Sequence, residues 1–191
     1  IRLHEDTQGK QITELVRPIT ISEGELDNAL HKSHVIEQCV DNAFRQNLFK
    51  VSPHTQIEYN GLQIINRQVI IDYIKRLLQI DKNSTPFQIL GLEKQVESSI
   101  HFNTREGSRS MTIFGSIDRL DQVILPTGPT IRVIDYKTGN NNQMSVKNLG
   151  EIFSGKKLSN HTDYYLQAML YACIVRNERD QEGKGIYNIH N

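Results

Sequence analysis

The stretch Leu125-Pro126-Thr127-Gly128-Pro129-Thr130 separates two apolar, β-branched segments, and it constrains this chain more than any other feature. Pro and Gly at that spacing demand a turn, and the flanking runs read as strands. An antiparallel hairpin is the expected result. Pairing Leu125 with Thr130 sets Asp118 opposite Lys137, and a slip of two residues sets it opposite Asp135. In either register Asp118, Asp135 and Lys137 share one face, because side chains alternate with a period of two. A slip of one residue would bring Tyr136 across instead and disperse the cluster. Two carboxylates and one ammonium are therefore expected to converge at the end of a hairpin.

Two carboxylates so placed repel, and they call for a shared proton, a cation or a metal. Mg²⁺ takes one or two carboxylates, keeps several waters and fills its other positions with substrate phosphate oxygens. A lysine beside such an ion can orient an attacking water or offset charge developing on a phosphorus-bound oxygen. Metal-assisted phosphodiester hydrolysis is the chemistry that fits. The plain alternative is a surface hairpin with one Asp–Lys ion pair, since an isolated Asp-x-Lys carries no information.

Three segments stand in order: Gly115-Ser116-Ile117-Asp118-Arg119-Leu120-Asp121, Asp135-Tyr136-Lys137-Thr138-Gly139, and Gln167-Ala168-Met169-Leu170-Tyr171. With its Gly-x-x-Asp-Arg-x-Asp, Asp-Tyr-Lys-Thr-Gly and Gln-x-x-x-Tyr motifs, the chain resembles the PD-(D/E)xK nuclease superfamily, and within it the RecB/AddB-like exonuclease branch. The resemblance covers about residues 85 to 190 well, and the first eighty only in helical character. It implies an α/β fold of restriction-endonuclease-like architecture, a mixed β-sheet flanked by helices. It also implies Asp118 and Asp135 as Mg²⁺ or Mn²⁺ ligands, the Tyr136 carbonyl completing the shell, and Lys137 as the catalytic lysine. Glu93 is the candidate for a further acidic residue from the preceding strand, with Glu97 behind it; both have the same alternation parity, which leaves the choice open. Gln167 and Tyr171, one helical turn apart on one face, would contact DNA or brace the lysine strand.

The chain departs from the branch in one respect. A metal-ligating His on an N-terminal helix is usual there, whereas His4, His31 and His34 read as solvated helix histidines. The chain opens at Ile1 and reads as an excised domain, so the missing helix is expected upstream. Two cysteines, Cys39 and Cys173, cannot ligate an iron–sulfur cluster within this segment.

With 191 residues the chain fits one domain, residues 1–191, divided into a helical part (1–82) and a sheet core (83–191). No apolar run approaches membrane-spanning length and no signal-peptide pattern opens the chain. Cys39 and Cys173, among apolar neighbours, read as reduced core thiols of a cytoplasmic protein. The net charge of +0 is not the footprint of a stand-alone nucleic-acid binder. It points to tethering to a DNA-binding machine, a helicase domain or partner subunit.

Ser22-Glu23-Gly24-Glu25 has capping-box spacing and opens a helix to about His31. A second helix starts at Ser33, with Val35, Ile36, Cys39, Val40, Ala43 and Phe44 on one face. A third carries Ile64, Ile65, Val69, Ile70, Ile74, Leu77 and Leu78 to about Gln79. Asn83-Ser84-Thr85-Pro86 breaks the chain. Strands are expected at about 88–102, 109–125 and 131–138, the first two linked by Arg105-Glu106-Gly107-Ser108. Asn140 to Gln143 reads as a polar loop. Lys147, Lys156 and Lys157 lie on a stretch that is either a solvated loop or a phosphate contact. A helix over about 163–178 carries Gln167 and Tyr171, and Gly185 to Ile189 begins another strand.

The function implied is a Mg²⁺-dependent, exonuclease-like deoxyribonuclease of a recombination and repair protein. The rival is a catalytically incomplete DNA-binding or subunit-docking module on the same fold.

Overall fold

The computed structural model describes residues 2–5, 11–15, 17–52, 54–137, 148, 150, 152, 162–178, 182 and 185–187. Two compact units divide the chain: Thr20–Phe87, and Ile1–Ile19 together with Gln88–Asn191.

The first unit is helical. Helix α1 (Glu23–His31) starts at the expected capping box, in which Ser22 and Glu25 bond each other's backbone amides. Helix α2 (Ser33–Ala43) widens into a π-type turn over Phe44–Phe49 and stops at Lys50, whose φ of 52° is left-handed. Helix α3 (Gly61–Lys82) has a second capping box, between Asn60 and Gln63. The core is narrower than the hydrophobic pattern implies. Ile36, Val40 and Ile71 are buried, with Phe44, Ile74 and Leu78 packed on them. Those residues follow i, i+4, i+8 spacing on α2 and i, i+3, i+7 on α3, so each helix buries one thin stripe. Val35 on α2 and Ile65, Val69 and Ile70 on α3 lie off the stripes and are exposed, as is Ile64, which continues the α3 stripe two turns before Ile71. Cys39 and Cys173 are exposed as well, not core thiols: Cys39 flanks the α2 stripe, and Cys173 lies between buried Tyr171 and Ile174. Arg67 donates two hydrogen bonds to Asp41, at 2.6 and 2.9 Å, and Tyr59 donates a third at 2.8 Å. Lys82 ties the end of α3 to Asp27 on α1 at 2.6 Å.

A helical part from residue 1 is expected, but the described residues before Ser22 include three strands and no helix. β1 (Arg2–Glu5) and β2 (Gln11–Glu14) pair as an antiparallel hairpin, so His4 lies in a strand rather than a helix. Pairing between the two strands satisfies their backbone groups. β3 (Ile19–Ile21) is a β-branched triplet.

A four-stranded antiparallel sheet runs in the order β3-β4-β5-β6, and the α/β, restriction-endonuclease-like class stands as expected. β4 (Phe87–Thr104) and β5 (Gly107–Leu125) are joined by Arg105-Glu106 alone, a tighter link than expected. β6 (Gly128–Ile134) pairs with β5 in the slipped register, Leu125 against Gly128 and Arg119 against Ile134. Gly128, at φ 112°, takes the left-handed conformation that lets Pro126-Thr127 close the turn in two residues. β6 stops at Ile134, short of the expected 138, because the Tyr136 amide donates to the Asp118 carboxylate at 2.6 Å.

Helix α4 (Thr162–Asn177) belongs to the same unit as β5 and β6. Its Tyr171, Ile174 and Val175 join Val96, Ile117 and Leu120 in the buried cluster, with Leu90, Ile113, Ile131, Val133 and Tyr187 packed around it. Gly185 forms an isolated bridge, and residues 188–189 of the expected last strand lie outside the described residues.

Candidate active site

Hairpin register and the end of β6 build the site. Continuing the pairing by one residue from Arg119↔Ile134 sets Asp135 across from Asp118. The Asp118 carboxylate accepts the Tyr136 N–H, which pins the segment Asp135–Lys137 against β5 after the ladder ends. Lys137 Nζ stands 2.5 Å from Asp135 Oδ2 and donates to Gln167 Oε1 at 2.9 Å. The two carboxylates and the lysine are thus brought together.

α4 supports this arrangement with one stripe of residues. Tyr164, Gln167 and Tyr171 fall at i, i+3 and i+7 and share a face. The Tyr164 ring lies under the ammonium, 4.7 Å from Lys137 Nζ to its centroid. Gln167 Nε2 donates to the Tyr171 hydroxyl at 3.1 Å. Tyr171 rests on Gly115, where a Cβ would stand 2.4 Å from the ring. Backbone glycine, tyrosine, glutamine and lysine form one connected path. The Asp135 hydrogen bond holds the Lys137 ammonium above the usual lysine range, outweighing partial burial, with the charges of Asp135, Tyr164 and Asp118 adding to it.

Below the site lies an ionic cluster. Asp121, 0% exposed, accepts two hydrogen bonds from Arg132, at 2.7 and 2.8 Å, and lies 3.1 Å from Arg119 Nε. The Arg119 guanidinium in turn lies 5.9 Å from the centre of the Tyr136 ring. The cluster therefore reaches the same segment that carries Asp135 and Lys137.

The two upstream glutamates are separated by the backbone. Glu93 has a left-handed φ of 48°, and burial along β4 passes from Phe87 and Gly91 to Val96, an odd step. Such a bulge shifts the alternation by one residue, so Glu93 and Glu97 lose the shared parity that the sequence implies. Glu93 Oε2 accepts from Ser116 Oγ at 3.5 Å, two residues before Asp118. Glu97 instead lines a polar cleft of about 110 Å³ with Ile174, Asn177 and Glu178, by the end of α4. Lys94, next to Glu93, bonds both Glu178 oxygens at 2.8 Å and Tyr187 Oη at 2.7 Å.

His31 and His34 are exposed on helices, as expected. His31 Nδ1 lies 2.7 Å from the Asp27 carbonyl of its own helix, and His34 is exposed in the first turn of α2. Asn140 to Gln143, Lys147, Lys156 and Lys157 lie outside the described residues, as do Thr138 and Gly139. Among the described residues, no three His, Cys, Asp or Glu side chains form a metal cage. A pair of facing carboxylates beside a backbone carbonyl fits a divalent cation whose shell is completed by water and phosphate, not a closed structural site.

Tyr164, Gly115 and the Asp121–Arg132 pair are the participants that the sequence reading passes over. Each carries a signal: Tyr164 lies one turn before Gln167, Gly115 opens the first motif, and Asp121 faces Arg132 only in the slipped register.

A sheet hairpin presenting two carboxylates and a lysine, buttressed by one helix, defines a nuclease-type core. The family model of the PD-(D/E)XK nuclease superfamily matches residues 8–190, and the chain belongs to that superfamily. Members are nucleases and generally use divalent metals. No curated protein and no solved structure matches the chain. Among the described residues, no helix is long and apolar enough to cross a membrane.

Proposed function

We propose that this chain is a Mg²⁺- or Mn²⁺-dependent deoxyribonuclease module that cleaves DNA phosphodiesters in an exonuclease-like manner. It would act in the cytoplasm within a RecB/AddB-type recombination and repair protein, beside a helicase domain or partner subunit. One observation carries the reading: Lys137 is held between Asp135 and Gln167, within the field of Asp118.

Asp118, Asp135 and the Tyr136 carbonyl would hold the cation, with Glu93 as the upstream acidic residue. When bound, the cation would supply positive charge to the phosphate oxygens and acidify water. Lys137 keeps its proton and presents it to the oxygen on which charge develops, or orients the attacking water. Asp118 additionally fixes the Tyr136 peptide. Gln167 and Tyr171 act as braces rather than DNA contacts. Gln167 bonds both Lys137 and Tyr171, and Tyr171 is 8% exposed.

The test is cleavage of end-labelled single-stranded and duplex DNA with Mn²⁺, alongside Lys137→Ala. Cleavage that disappears in the variant supports the reading. Equal cleavage by both proteins overturns the role of Lys137. Among the described residues no three His, Cys, Asp or Glu side chains come together as a metal cage, and this favours, as second reading, an incomplete DNA-binding or docking module. DNA binding with no cleavage in any divalent metal would select it.

A further inference from the structure

We propose that Tyr164 is a positioning residue that seats the Lys137 ammonium, an inference that rests on the catalytic reading of Lys137. A lysine reaches its target through four rotatable bonds, and two hydrogen bonds leave its nitrogen free to swing about the line between the acceptors. Asp135 and Gln167 supply those two acceptors. The Tyr164 ring supplies a third contact, with its centroid 4.7 Å from Nζ, inside cation–π range. A third contact restricts the swing that the two acceptors alone permit.

The placement is built into α4. Tyr164 lies in the first turn of the helix, one turn before Gln167, while Tyr171 and Ile174 farther along the same stripe are buried in the core. The rigid packing of Tyr171 on Gly115 therefore sets where the Tyr164 ring stands. Displacing a reacting group by about 1 Å can cost as much as about a hundredfold in rate. The ring's task is mechanical and electrostatic, and it needs the aromatic face rather than the hydroxyl.

The experiment compares Tyr164→Phe and Tyr164→Leu in the full chain, with lysine labelled by ¹³C at Cε and the Lys137 signal assigned by Lys137→Arg. Tyr164→Leu is expected to remove the ring-current shift of the Lys137 ε-methylene and to lower kcat about tenfold, with KM changed less than about twofold. Tyr164→Phe is expected to keep both the shift and most of kcat. An ε-methylene signal unmoved by Tyr164→Leu overturns the proposal, and so does a kcat loss in Tyr164→Phe equal to that in Tyr164→Leu. Lys137→Ala runs in parallel. Normal cleavage by that variant would refute the catalytic reading, while the ring-current result still reports separately whether Tyr164 seats the lysine.

Discussion

Gly115 lies directly beneath the ring of Tyr171: a Cβ built on it would stand 2.4 Å from Cε1 and 2.7 Å from the hydroxyl oxygen. The absence of a side chain at this one position lets α4 settle on β5 and brings Gln167 within reach of Lys137. Gly115→Ala should push the ring outward, costing about 1–3 kcal/mol of stability as an overpacked contact does. Cleavage should fall further than stability accounts for, because the Gln167 brace moves with the helix. Adding Tyr171→Leu should recover part of the stability, since the two residues are in contact and couple. Urea midpoints of the single and double variants measure this; strict additivity would show that the contact is not the cause.

The Asp121 cluster predicts a larger effect. Removing one member of a buried, hydrogen-bonded ionic group leaves uncompensated charge, at a typical cost of about 3–5 kcal/mol. Asp121→Ala leaves Arg119 and Arg132 facing a site without its carboxylate. Arg132→Met in the same chain should then restore stability in part by removing one of the stranded charges. Denaturant titration checks both. A loss below about 1 kcal/mol in Asp121→Ala would mean that the cluster is hydrated and contributes little.

How far the sequence disclosed this arrangement depended on whether local chemistry or long-range packing decided each feature. Ser22 and Pro126-Thr127-Gly128 act on their immediate neighbours, and the helix start and hairpin turn they mark are where expected. The register was open between two pairings. The Asp121↔Arg132 match, available only in the pairing that forms, would have chosen it, because opposite charges face each other across a pair of strands. The strand end at Ile134 was not legible, since it depends on a side chain 18 residues away capturing an amide. Nor was the bulge at Glu93, a non-glycine residue at φ 48°, for which alternation gives no warning. On α3 the number of apolar residues overstated the core: Ile65, Val69 and Ile70 point away from the buried stripe, and Ile64 is on it but two turns before Ile71, where the side chain is exposed.

Asp118 has two tasks that substitution can separate. Its carboxylate accepts the Tyr136 amide at 2.6 Å, and its charge is what a cation would require. Asp118→Asn keeps an acceptor oxygen and loses the charge, so the segment after β6 should stay in place while cleavage falls by about a hundredfold or more. Asp118→Ala loses both and should also lower the unfolding temperature. Comparing cleavage and thermal melting across the two variants makes the distinction. Normal cleavage by Asp118→Asn would remove Asp118 from the reaction.

Acid should weaken the helical unit through one carboxylate. The Arg67 hydrogen bonds, helped by Tyr59, hold the Asp41 carboxyl below the usual aspartate range even though partial burial pushes the other way. A depressed folded-state pKa gives stability that is fully present above the unfolded value, about 3.9, and lost as pH falls through the folded value. Asp41→Asn should therefore cost about 1–3 kcal/mol at pH 7, where two charge-assisted bonds are weakened. The difference from the parent chain should shrink progressively below about pH 4, as the parent's carboxylate takes up its proton and both proteins carry a neutral group there. Urea midpoints of parent and variant at pH 7, 5 and 3 measure it. A gap between them that stays constant down to pH 3 would mean that the Asp41–Arg67 contact does not draw its strength from the carboxylate's charge.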